Sequence, residues 1–210
     1  LRLVGSEMCI RDRSVMRTIR AEAPRVLAEP ENYDARANIM WAGMLCHQGL
    51  LGMGRHEDWA THGLEHELSA YDTTVTHGAG LACLFPAWME YVYDANPARF
   101  AQYGYEVFGL APTGDIESDA LSAIDETRMF FASLGMPISL GELGLDEDNI
   151  EDAIAEMIPT LRENKGEPFG SFKKLTMEDA AEIYRLAPVS YTHLRAHETE
   201  LHLVCRLLLE

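Results

Sequence analysis

Between residues 14 and 188, apolar positions recur every three or four residues rather than alternating, and the pattern stops at prolines and glycines. SVMRTIRAEAPRVLA (14–28) has apolar residues at 15, 16, 19, 23, 26 and 27 and is stopped by Pro30. ENYDARANIMWAGMLCHQGLLG (31–52) puts Ala35, Ile39, Met40, Ala42, Gly43 and Cys46 on one side. Asn32 is placed as its N-cap, and Gly49, Gly52 and Gly54 end it. Asp58 can cap a helix over 59–71. GLACLFPAWMEYVYD (80–94) is nearly all apolar with Pro86 inside, which predicts a buried, kinked helix. DIESDALSAIDETRMFFASLG (115–135) is amphipathic, with Gly135 as C-cap. GLDEDNIEDAIAEMIPTLREN and TMEDAAEIYRLA carry acidic residues in their first turns, as the helix dipole favours. No run of alternating β-branched residues is long enough for a strand. The pattern predicts an all-α, multi-helix bundle-like domain of seven or eight helices. NKGEPFGSFKKL (164–175) reads as a solvated loop, and Trp88, Tyr91, Tyr93, Phe100 and Tyr103 as core aromatics.

The two ends change the picture. VSYTHLRAHET (189–199) matches a one-frame translation of a common transposon-type sequencing adapter, and LVCRLLLE resembles the primer tail that follows it. LVGSEMCIRDR (3–13) resembles the same kind of adapter on the opposite strand. Residues 1–13 and 189–210 are therefore set apart as adapter-derived, leaving 14–188 as the domain. The expectation is a truncated domain whose flanking sequence is foreign.

Composition narrows the class. The 210-residue chain carries a net charge of -17, which argues against nucleic acid or an anionic membrane surface as partner. No apolar run approaches the ~20 residues of a membrane span, and the start is a poor signal peptide, so a cytoplasmic location is expected. With the ends removed, the cysteines are Cys46 and Cys83, expected as buried thiols of a reduced protein.

The candidate chemistry is imidazole. His62 and His66 are four apart and share a helix face, while His77 returns after a short loop. Neutral imidazole is the commonest protein ligand for zinc and first-row transition metals. On spacing alone, surface or hydrogen-bonded core histidines remain the plainer alternative. A three-histidine metal-dependent hydrolase and a non-catalytic helical interaction module stay open beside a metal-dependent enzyme. GLLGMGR (49–55) is not a dinucleotide fingerprint and reads as a turn.

The combination of WAG, HxGLxGxGR, DWATHxxEHELSA and THGAGLA across 41–88 resembles the C-terminal helical domain of iron-containing alcohol dehydrogenases, a dehydroquinate synthase-like fold. The nearest subgroup is that of NAD(P)H-dependent butanol dehydrogenases. The resemblance implies reversible interconversion of a primary alcohol and an aldehyde with NAD(P)H, an Fe2+ or Zn2+ ion, and a homodimer when full-length. It implies His62 and His77 as metal ligands, His66 as a catalytic residue for substrate orientation or proton relay, and His47 as lining the substrate pocket. The family's upstream Asp and His ligands and its nucleotide domain would precede residue 14, so the segment alone is expected to be inactive. The loop between His66 and His77 is one residue longer than the family pattern.

Overall fold

Apolar spacing becomes helix throughout the computed structural model, which describes residues 2–53 and 56–187. Among the described residues there are eight α-helices: α1 (Arg2–Ala28), α2 (Tyr33–His47), α3 (Ala60–Tyr71), α4 (His77–Val92), α5 (Pro97–Tyr103), α6 (Ile116–Ser133), α7 (Ile150–Lys165) and α8 (Met177–Leu186). The one β feature described is an isolated bridge between Phe169 and Leu175. The stretch set apart at 189–210 lies outside the described residues. Residues 2–13 continue α1, so that helix begins well before Ser14.

The local signals act as expected. Asn32 Oδ1 accepts the Ala35 N–H (3.0 Å), and Asp115 accepts from Glu117 and Ser118 to start α6. Asp58 Oδ1 accepts the Ala60 N–H at 2.7 Å. Each such cap satisfies a backbone donor the helix itself cannot pair and stabilises it by roughly 1 kcal/mol. Gly135, at φ 72°, adopts the left-handed conformation that follows a helix end. Thr176 and Asp179 close a reciprocal capping box at α8.

The chain divides into two compact units. One comprises residues up to 60 with 88–136 and 170–174. In it α5 and α6 pack together, α2 packs on α1, and Arg17 and Arg20 on α1 donate to the carbonyls of Glu106 and Val107. Gly104 is needed here, because a Cβ would lie 2.8 Å from the Cβ of Ala123. Asp119 sits buried beneath Tyr105 and Thr113, whose hydroxyls and amide supply its hydrogen bonds.

The second unit comprises 61–87, 137–169 and residues from 175 onward. Its core holds Leu64, Leu68, Leu84, Leu140, Leu161, Leu175, Ile183 and Tyr184, all within 1% of complete burial. Burying each such aliphatic side chain stabilises by roughly 1.5–3 kcal/mol. α7 packs on α8, and the buried Tyr184 hydroxyl donates to the Leu64 carbonyl at 2.6 Å, tying α8 to α3.

Three expectations are corrected. On α2 only Ala35 and Ala42 of the named face are buried, and Met40 is 74% exposed. The reason is that α2's main partner in its unit is α1. Cys46 is exposed for the same reason, whereas Cys83 is buried; Cys83 donates to the Ser139 carbonyl at 3.2 Å, and burial pushes its thiol up to about 12. The 164–175 stretch is not simply solvated. Phe169 and Leu175 are buried, Phe172 meets Trp88 and Phe100 edge-on, and Lys173 lies over the Tyr91 ring and pairs with Asp94.

Candidate metal centre

α3 presents its histidines because their spacing matches its turn. His62 and His66 are one turn apart, with ring centroids separated by 6.2 Å. Leu64 and Leu68 on the other side are fully buried and fix which face the imidazoles take. Asn164 on α7 donates to the buried Glu67 at 2.8 Å, a further tether of the helix.

The return to His77 is set by a short turn. Asp72 Oδ1 accepts from the Thr74 amide (2.9 Å) and hydroxyl (2.7 Å), a local side-chain turn. Val75 is buried beneath it. His77 is then the first residue of α4. Its ring centroid lies 5.4 Å from that of His62 and 5.3 Å from that of His66. The extra loop residue has not kept His77 from the other two rings.

A residue missed by the spacing argument joins them. Glu65 is fully buried on α3, and its Oε2 meets His77 Nδ1 while its Oε1 accepts from Ser69 Oγ. Donor atoms of Glu65, His66 and His77 all lie within 4.8 Å of one another. The signal was present in the sequence: a carboxylate flanked by Leu64 and His66 on a helix whose apolar face it shares. His62 has its pKa lowered by partial burial, then by the neighbouring His77 and His66. A lowered value favours the neutral imidazole, the form that can ligate a cation.

Three imidazoles and one carboxylate, gathered by two helices, form a nitrogen-rich donor set with the chemistry Fe2+ or Zn2+ prefers. Each of the three rings is near the other two, so His66 is not turned away from the His62–His77 pair. His47 is the last residue of α2, in the other unit, and is exposed.

Comparison with known proteins bears on this arrangement. A model described as "Fe-containing alcohol dehydrogenase family, C-terminal" matches residues 6–187. The chain is 38% identical over 173 residues to NADH-dependent butanol dehydrogenase A of Clostridium acetobutylicum, covering 82% of this chain and 43% of that protein. It is 37% identical over 174 residues to the NADPH-dependent aldehyde reductase YqhD of Escherichia coli, with the same coverage on both sides. The crystal structure of NADH-dependent butanol dehydrogenase A from Thermotoga maritima superposes with a TM-score of 0.78 at 35% identity, covering 84% of this chain and 45% of that one. This chain therefore spans less than half the length of these relatives.

Proposed function

The chain belongs to the Fe-containing alcohol dehydrogenase family, as its C-terminal part, and we propose that it supplies the metal-binding half of an enzyme interconverting primary alcohols and aldehydes with NAD(P)H. The observation that supports this most is the meeting of His62, His66 and His77 at one point of the fold, within a chain matched almost throughout by the family. His62 and His77 would hold Fe2+, or Zn2+ as the alternative. Bound there, the metal would polarise the substrate oxygen, and the nicotinamide would exchange the hydride.

The chain's own residues then have distinct tasks. His62 and His77 bind. His66, exposed on the same face of α3, orients the substrate hydroxyl or relays its proton. His47 lines the substrate pocket. Nucleotide binding falls to the portion of the relatives' length that this chain does not span, and the full-length protein is a homodimer in the cytoplasm. Residues 14–188 are the domain, flanked by adapter-derived ends; the family match reaches back to residue 6. No helix among the described residues is long and apolar enough to cross a membrane, and the charge of -17 disfavours nucleic acid and anionic lipid as partners.

A hydrolase reading draws on one observation, the 5.3 Å approach of His66 to His77, which would suit a three-histidine site. The family match weighs for the dehydrogenase. The test is anaerobic titration of the chain with Fe2+ or Co2+. One ion per chain is expected, with affinity falling at least about 100-fold in both His62→Ala and His77→Ala. A chain that takes up no ion, or variants that bind as well as the parent, would sink the reading.

A further inference from the structure

Glu65 is fully buried, which is costly for a carboxylate unless its lone pairs are used. Both oxygens are used. One faces His77 Nδ1, and the other accepts from the Ser69 hydroxyl. Ser69 is a neighbour four residues along the same helix, so half of the carboxylate is fixed by α3 itself. The space around it is closed from α4 as well: a Cβ at Gly80 would sit 2.8 Å from Glu65 Oε1 and 2.9 Å from its Cγ. The carboxylate can neither swing away nor be approached from that side. His77, in contrast, has half its side chain exposed, at 49%.

A neutral imidazole has one N–H and one lone pair. When Nδ1–H donates to a fixed carboxylate, the lone pair is left on Nε2 and rotation about the side chain is stopped. We propose that Glu65 is a positioning residue: it fixes His77 as the Nδ1–H tautomer and leaves Nε2 as the one ring atom available to a cation. This rests on the metal-binding reading above. It also separates Glu65 from the direct ligands, although its donor atoms lie within 4.8 Å of those of His66 and His77. An oxygen held by His77 and another held by Ser69 leave the group engaged in orienting rather than in binding. A carboxylate behind a ligating histidine typically changes metal affinity 10–100-fold.

The experiment uses the whole 210-residue chain. Side-chain 15N NMR of the metal-free protein at pH 8 reads the His77 tautomer, and Nδ1–H is expected. Co2+ titration, followed by its visible absorption, then compares the parent with Glu65→Leu and Glu65→Gln. The leucine variant loses the acceptor and should bind Co2+ 10–100-fold more weakly; glutamine keeps an acceptor oxygen and should recover most of that loss. An Nε2–H tautomer in the parent, or undiminished Co2+ affinity in Glu65→Leu, overturns the positioning role and leaves the metal reading standing. Equal losses in both variants overturn it in favour of direct ligation. A parent chain that binds no Co2+ overturns the metal reading and this inference with it. Should Glu65→Leu fail to fold, the tautomer of the parent and the Co2+ affinity of Glu65→Gln still decide.

Discussion

Two of the buried acids, Asp119 in one unit and Glu65 in the other, are satisfied in different ways. Asp119 takes all its partners from amide and hydroxyl groups: the Thr113 amide and hydroxyl and the Tyr105 hydroxyl. Glu65 takes one partner of that kind, Ser69, and one of another, the ring of His77. The Thr113 hydroxyl oxygen is taken by the Asp115 amide, and an amide that donates to a carboxylate has no further site to offer. An imidazole that does so still has a second nitrogen to offer. The nature of the partner, rather than burial itself, separates an acid that holds a fold together from one that belongs to a site.

That contrast can be broken in three places. The largest effect is expected at His77. His77→Ala leaves Glu65 with Ser69 alone, and the metal-free chain should lose about 1–3 kcal/mol in urea unfolding. Tyr105→Phe leaves Asp119 with both Thr113 donors and should cost less. Equal losses, or a larger one in Tyr105→Phe, would undo the distinction. Next comes Gly80→Ala, which forces a methyl into Glu65. Overpacking should outweigh the roughly 1 kcal/mol that alanine gives a helix, for a net loss of about 1–2 kcal/mol. Co2+ affinity should fall with it, and a stabilised variant would show that Glu65 has room to move.

The smallest effect concerns acid. Hydrogen bonds from Tyr105 and then Thr113 hold the Asp119 carboxyl below its ordinary value. Its stabilisation is therefore complete above the unfolded value of about 3.9 and is lost as pH falls through the lower folded value. At the alkaline end the same bond pushes Tyr105 up to about 12, so its contribution holds up to about pH 10 and fades as pH rises further. Asp119→Asn should therefore destabilise the chain at pH 7 and differ progressively less from the parent below pH 4, while Co2+ binding stays unchanged. A constant difference from pH 2 to pH 7 would show that the hydrogen bonds do not act through the charge.

The helices were legible because periodicity and capping residues are local: Asn32, Asp58, Asp115 and Gly135 each act where their position in the sequence puts them. The three histidines were legible for the same reason, two sharing one turn and the third returning after one loop. Glu65 was legible only in part: the sequence sets it beside Leu64, but its burial shows only in the packing of Gly80 and Ser69 against it. The side chains of α2 misled in the opposite direction. Met40 shares a face with Ala35 and Ala42, yet it is exposed, since periodicity shows which residues share a face but not what that face meets.

Asp58 has a second task beyond capping. Its Oδ2 accepts the amides of Ser171 and Phe172 at 2.7 and 2.6 Å, 113 and 114 residues further on. One side chain thus begins the histidine-bearing helix and fastens a loop from near the far end of the described chain. Closing so long a stretch is slow. During synthesis, the helix that carries the imidazoles should acquire a firm footing only after residue 172 has left the ribosome, so their arrangement is among the last things the folding of this chain delivers.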